Sequence, residues 1–118
     1  MNIQPDSSIA ALQHLLSATS ARHRVLANNL ANSDTPGFIR QDISFDQALT
    51  DAVQSGDYSS FNLPVQADKT DQPRADGNNV SVERELSELN KNAMLHQTGL
   101  QLLQSKLAME RLAITGKT

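Results

Sequence analysis

The chain is 118 residues long with a formal net charge of −3, ten scattered basic residues and no cysteine, so neither a concentrated nucleic-acid-binding face nor a disulfide or thiolate framework is available to it. Its aromatic residues, Phe38, Phe45, Tyr58 and Phe61, all lie in the middle third, which leaves the two long ends only aliphatic side chains to bury and makes a self-sufficient globule marginal. The longest unbroken apolar run, Ile9 to Leu12, is far short of the roughly 20 residues of a membrane span, and no charged n-region followed by an apolar stretch marks a cleavable secretory signal.

Asp6, Ser7 and Ser8 follow Pro5 as candidate N-caps, so a helix is expected from about residue 7. Beyond them Ile9, Leu12, Leu16, Thr19, His23, Leu26 and Leu30 alternate spacings of three and four. That is an a/d seam and predicts a long partner helix, with Leu15 and Val25 widening the stripe. A helix over 7–33 would be roughly 40 Å long, more than a small compact domain covers. It must end by about Ser33. Thr35 precedes a proline and is pushed out of the α region, Pro36 presets the first central position of a turn, and Gly37 accepts the positive φ that a type II turn needs before Phe38. In the run Ala27, Asn28, Asn29, Leu30, Ala31, Asn32 and on to Asp34, short polar side chains crowd the helix end, where they can bond backbone groups that have lost helical partners.

After the turn, Ile43 to Phe45 alternates apolar and polar and predicts a short extended piece; Phe45 to Val53, with Leu49 one turn after Phe45, predicts a short helix. Residues 54–79 are rich in Ser, Asp, Gln and Asn, broken by Pro64 and Pro73, and read as a mobile linker or loose surface segment. Within them Tyr58, Phe61, Leu63 and Val65 could form one strand-like piece with a pairing partner.

A second long helix is expected from Ser81 as N-cap, with Glu83 and Glu85 complementing the dipole of its first turn. Val82, Leu86, Leu89, Ala93, His96, Leu100, Leu103, Leu107, Glu110 and Ile114 repeat the three-four spacing, while Leu95, Leu102 and Met109 form a second row roughly 100° round the helix. One partner helix cannot cover both. Gly99 costs about 1 kcal/mol relative to alanine, which points to close backbone packing or to a tolerated weak point, and Gly116 is a natural stop. The predicted fold is mainly α: two long terminal helices packed as an antiparallel coiled-coil hairpin, joined by a polar, partly extended or disordered middle. Its parts are 1–36, 37–80 and 81–118, with both ends forming one structural domain.

No constellation carries catalysis, and no cofactor or metal is expected. His14 and His23 are nine residues apart and point to opposite sides of a helix, His23 and His96 fall on seam positions as register-setting polar residues, and the five glycines form no phosphate-cradling loop. The surplus of apolar rows implies neighbours. One version is a soluble oligomeric coiled-coil adaptor; the other is a polymer subunit, because a second, differently directed row need not close into a dimer. Alone, the chain is expected to be partly disordered and to fold on assembly.

The stretch A-N-N-L-A-N-S-D-T-P-G-F from Ala27 to Phe38 resembles the axial proteins of the bacterial flagellum, and within them the flagellar basal body rod protein family of the proximal rod type. The D-T-P-G-F turn, D-I-S-F-D-Q-A-L from Asp42 to Leu49, the short length, and N-N-V-S-V-E-R-E-L from Asn78 to Leu86 carry the resemblance; about Thr50 to Gly77 contributes nothing. The resemblance implies a self-assembling structural subunit of the hollow drive shaft that transmits torque, with its terminal helices packed along a rod in the periplasm. It implies copies of itself, other rod proteins, and the membrane ring with its adaptor at the rod base as partners. It also implies delivery by the flagellar type III export apparatus without a cleaved signal peptide. Phe45 and Leu49, in F-D-Q-A-L, resemble the Phe-x-x-x-apolar signal by which early subunits engage the export gate; local packing is the other reading of this pair.

Overall fold

The apolar periodicity breaks at Thr35-Pro36-Gly37 and resumes at Ser81, and the backbone follows those two signals. The computed structural model describes residues 7–56 and 63–116, the side chains of Ser7, Leu49 and Val53 excepted. In chain order these form α1 (Ser7–Ala31), β1 (Gln41–Ile43), α2 (Phe45–Ser55), β2 (Val65–Ala67) and α3 (Val82–Thr115). The strand-like reading at Tyr58 and Phe61 and the candidate cap at Asp6 lie outside the described residues.

α1 tightens at its end, where the Asn32 amide donates to the carbonyls of both Asn28 and Asn29 at 3.1 Å, before the chain turns. The Phe38 amide donates to the Thr35 carbonyl at 3.2 Å and Gly37 has φ +75°, the turn that the Thr-Pro-Gly-Phe run predicts. β1 and β2 pair antiparallel with Gln41 opposite Ala67, Asp42 opposite Gln66 and Ile43 opposite Val65. The extended piece is thus displaced two residues toward the N-terminus from the alternation read at Ile43 to Phe45, because Phe45 already belongs to α2. α3 is capped by the Ser81 hydroxyl, which accepts from the Arg84 amide at 3.3 Å, and it stops at Gly116 with φ +67°.

α1 and α3 lie side by side and antiparallel: Asn29 meets Glu85, Arg22 meets Glu88, Thr19 meets Asn92 and His96, and Leu15 and Leu16 meet Gly99. This hairpin gives the molecule its principal extents of 64 × 26 × 14 Å. Its core is small. Among the described residues the fully buried apolar side chains are Ala18, Leu26, Ile43, Ala52 and Val80.

The line of contact on α3 differs from the seam read in the sequence. Leu89, His96 and Leu103 are at least half-buried, but their seam companions Val82, Leu86, Ala93, Leu100, Leu107 and Ile114 are exposed. Their place against α1 is taken by Glu85, Asn92 and Gly99, all buried, and by half-buried Lys106. The reason is closeness and chemistry together. A Cβ on Gly99 would come within 3.1 Å of Leu15 Cδ2, so the Leu15 and Leu16 side chains pack directly onto the α3 backbone there, while Glu85 and Asn92 have specific partners on the facing elements. On α1, His23 is exposed, whereas Ala18 and Asn29, off the expected seam, are fully buried. Glu85 is likewise an interior ion rather than a dipole-complementing surface charge.

Candidate functional site

The corner between α1 and α3 is held by polar side chains whose sequence positions are far apart. Asn29, at the end of α1 and fully buried, brackets the start of β1: its Nδ2 donates to the Gln41 carbonyl at 2.7 Å and its Oδ1 accepts from the Gln41 amide at 2.9 Å. The remaining Nδ2 proton reaches Glu85 Oε2 at 3.2 Å. Asn78, also buried, donates through Nδ2 to the carbonyls of Asn32, Ser33 and Thr35 at 2.8, 3.1 and 2.8 Å. Backbone acceptors orphaned by the end of α1 are therefore satisfied from 43 or more residues away. Asn79 accepts from the Arg40 amide at 2.6 Å and donates to the Asp68 carbonyl at 2.8 Å. Gly77, with φ +84°, sits so close to the Pro-Gly turn that a Cβ would lie 3.2 Å from Gly37 Cα. Residues 68–80, whose composition reads as loose, are fastened by these side-chain-to-backbone bonds, which polar composition alone does not reveal.

Arg40 is the hub of the corner and has no exposed surface. Its Nε donates to Glu85 Oε1 at 2.6 Å and its Nη2 to Glu85 Oε2 at 3.3 Å; Nη1 donates to Asp68, and Nη2 also lies 3.4 Å from Asp42 Oδ2. Around it, Arg22 grips Asp42 with two bonds of 2.9 and 3.0 Å and reaches Glu88 at 3.0 Å, while Arg84 bonds Asp68 and Asp71. No buried side-chain nitrogen or oxygen among the described residues lacks a partner.

Burial opposes the charge on Arg40, yet the hydrogen bond and attraction of Glu85, with Asp42 and Asp68 behind it, hold its pKa above the ordinary guanidinium value. The Arg22 value is raised chiefly by its hydrogen bond to Asp42. For Asp68, burial alone would raise the pKa; bonds from Thr70 and Arg40 overcome that and bring it down to about 2. Asp42 is lowered in the same way, its burial outweighed by Arg22 and by the Ile43 amide.

These two depressed carboxylates set an acid limit. A carboxylate whose folded pKa lies below its unfolded value stabilises the fold above the unfolded value and loses that contribution as pH falls toward the folded one. The hairpin is therefore expected to hold constant stability down to about pH 4 and to lose it between about pH 4 and pH 2, with Asp68 contributing up to about 2 kcal/mol of the loss. Urea titrations of the helical signal at stepped pH measure this; a midpoint already falling between pH 6 and pH 5 would assign the limit to other groups.

The motif from Ala27 to Phe38 divides between inside and outside. Asn29 is buried; Leu30, Asn32 and Phe38 are half-buried; Ala27, Asn28, Ala31, Asp34, Thr35, Pro36 and Gly37 are exposed. Of the apolar seam residues, Ile9, Leu12, Leu16, Leu26, Leu89 and Leu103 line the hairpin's interior side in varying degree, and the rest of α3's large apolar residues face out. Most of them, Val82, Met94 and Leu112 apart, form two lines spaced by sevens. Leu86, Leu100, Leu107 and Ile114, with Ala93, run along one flank; Leu95, Leu102 and Met109 run along the other. Exposure reaches 61% at Met109 and 84% at Ile114, which a lone soluble chain gains nothing from. Phe45 is half-buried at the start of α2, Asp46 and Gln47 are exposed as the helical reading expects, and the Leu49 side chain lies outside the described ones.

Sequence reading missed Arg40, Asp68, Asn78, Asn79 and Asn92 as structural hubs. For Asn78 there was a signal: it directly follows Gly77 in the turn that leads to the Ser81 cap, a setting where a carboxamide commonly bonds local backbone. Arg40 carried none, since a single arginine in a polar stretch reads as solvated. Among the described residues no group of three metal-ligating side chains comes together, and no helix is long and apolar enough to cross a membrane.

Comparison with known proteins bears on the same residues. A family model described as flagella basal body rod protein matches residues 15–38, the larger C-terminal part of α1 together with the turn. Over 99% of both chains the sequence is 35% identical to the flagellar basal body rod protein FlgB of Aeromonas hydrophila. It is 32% identical to FlgB of Salmonella typhimurium over 86% of this chain and 88% of that one, and 34% identical to FlgB of Aquifex aeolicus over 84% and 86%.

Proposed function

The chain belongs to the flagellar basal body rod protein family, and from that premise we propose that its α1–α3 hairpin is the axial element through which it stacks into the rod, with both apolar flanks of α3 covered by neighbouring subunits. It is a structural subunit of the basal body rod and assembles with other rod components; the family is a structural one. The observation that carries the packing reading is the pair of leucine lines on opposite flanks of one helix. Two flanks that cannot both meet one partner support an open, non-closing assembly rather than a dimer. A closed oligomeric adaptor would cover one flank and leave the other wet.

On this reading copies of the chain and other rod proteins contact the flanks, and the exposed part of the Ala27–Gly37 motif faces a neighbour, while the membrane ring and its adaptor receive the rod base in the periplasm. The two ends act as one domain and 37–80 as its bracket. The small core supports the further reading that α1 and α3 gain most of their order on assembly. Deleting the gene in a flagellated host, with complementation by the intact chain, tests the function: hooks and swimming should be lost and restored together, and a deletion strain that still builds hooks would overturn it.

Membership of the family supports export by the flagellar type III apparatus without a cleaved signal, and Phe45 with Leu49 is proposed as its gate contact. The two positions lie four apart in α2 and so on one side of it, with exposed Asp46 between them. Phe45→Ala with Leu49→Ala should leave the protein made and soluble in the cytoplasm but secreted several-fold less. Normal secretion with failed rod building would assign these side chains to packing.

A further inference from the structure

α3 carries several lines of residues spaced by sevens, and a largely polar one sits at the centre of its contact with α1. Facing α1 are Glu85, Asn92, Gly99 and Lys106, with half-buried Leu89, His96 and Leu103 about 40° to one side. One residue later, about 100° round the helix, comes Leu86, Ala93, Leu100 and Leu107; about 60° to the other side comes Leu95, Leu102 and Met109. By apolar area either leucine line should win, since burying one leucine contributes about 1.5–3 kcal/mol. The buried polar residues of the chosen line, Glu85 and Asn92, are however keyed to specific groups. Asn92 Nδ2 donates to the Thr19 carbonyl at 2.7 Å, and Glu85 takes two bonds from Arg40. One turn on from Asn92, His96 joins them. The Thr19 hydroxyl donates to the Leu16 carbonyl at 3.0 Å and so accepts from His96 Nδ1–H at 2.6 Å. Rolling α3 by about 100° to bring a leucine line onto α1 would strand a fully buried guanidinium and break each of these bonds, a larger cost than the leucines return.

We propose that this polar line is a face selector: it commits one side of α3 to α1 and thereby keeps both leucine lines outward for neighbouring copies in the rod. The selector works by penalty. It adds little to the stability of the hairpin and excludes the two rolled arrangements in which the docking surface would be consumed internally. Gly99 cooperates, because only on this face can the Leu15 and Leu16 side chains settle directly onto the α3 backbone. The outward lines matter through the assembly reading above, whereas the choice of face is a property of the single chain.

The test uses the full chain with Arg40→Met, Glu85→Leu, Asn92→Leu and His96→Leu together, which removes the bonds of Glu85, Asn92 and His96 that tie α3 to one face. These substitutions strand nothing, since Asp42 keeps Arg22, Asp68 keeps Arg84 and Thr70, the Thr19 hydroxyl keeps the Leu16 carbonyl, and the Thr19 carbonyl keeps its helical bond. The urea midpoint of the helical signal, measured with the same concentration of trimethylamine N-oxide for both proteins, should stay equal to or rise above that of the unsubstituted chain. Incorporation into rods in a complemented deletion strain should fall roughly tenfold or more, the change that about 1.4 kcal/mol of lost contact gives. A lowered midpoint would mean that the line is stabilising in the ordinary way, and full incorporation would mean that α3 chooses its face without it; either result overturns the proposal. Failure of the unsubstituted chain to enter rods would instead sink the rod reading, leaving the urea comparison to judge the selector.

Discussion

Arg40→Met is expected to destabilise the hairpin by about 3–5 kcal/mol, a large part of what a domain of this size possesses. The loss comes less from the missing arginine than from what it leaves behind. Glu85 is fully buried, and without Arg40 its carboxylate retains only the Asn29 amide as a side-chain donor. Asp42 keeps Arg22, and Asp68 keeps Arg84 and Thr70, so those acids are not stranded. The double variant Arg40→Met with Glu85→Leu should therefore recover most of the loss, as replacing a buried ion pair with apolar groups of similar size often does. Urea unfolding of the single and double variants checks this. If the double variant is as unstable as the single one, the cost lies in the shape of the corner and not in the orphaned charge.

Leu100→Asp and Leu102→Asp, one on each flank of α3, should separate folding from assembly. Both side chains are substantially exposed in the single chain, at 40% and 52%. Each substitution should shift the urea midpoint by no more than about 0.5 kcal/mol, the usual scale for surface changes. In a rod that covers both flanks the new carboxylate would be buried without a partner, at a cost of several kcal/mol per subunit. Basal bodies isolated from strains expressing either variant should then lack the protein, and the cells should not swim. If only one variant is excluded, the other flank faces solvent in the rod, and assembly uses one leucine line instead of two.

The two experiments probe different forces because the molecule uses them in different places. Where the chain meets itself, ions and carboxamides with fixed partners dominate; where it meets neighbours, aliphatic side chains wait uncovered. A chain with five buried apolar side chains among its described residues cannot rely on hydrophobic burial to choose one arrangement, since the outward leucines would compete for the same helix. Directional bonds make that choice. The acid limit near pH 4 arises beside it, because Asp42 and Asp68, which hold Arg22, Arg40 and Arg84, are the carboxylates whose charge acid removes.

Local signals in the sequence determined the two long helices, the turn at Thr35 to Phe38, the cap at Ser81, the stop at Gly116 and the surplus of apolar rows, because each depends on residues within a few positions of one another. The Ala27 to Phe38 stretch was legible as a family mark for the same reason. Which face of α3 meets α1 was decided only by the tertiary structure. Three-four spacing scores apolar residues and is blind to a polar line that wins through partners distant in sequence. Glu85 faces inward on account of Arg40, 45 residues earlier, and Asn92 on account of the Thr19 carbonyl, 73 residues earlier. The same blindness made residues 68–80 read as loose. Asn78 and Asn79 look like loop residues in one dimension and become fasteners only when the end of α1 and the start of β1 arrive beside them, since a carboxamide has no preference for burial until its partners are in place.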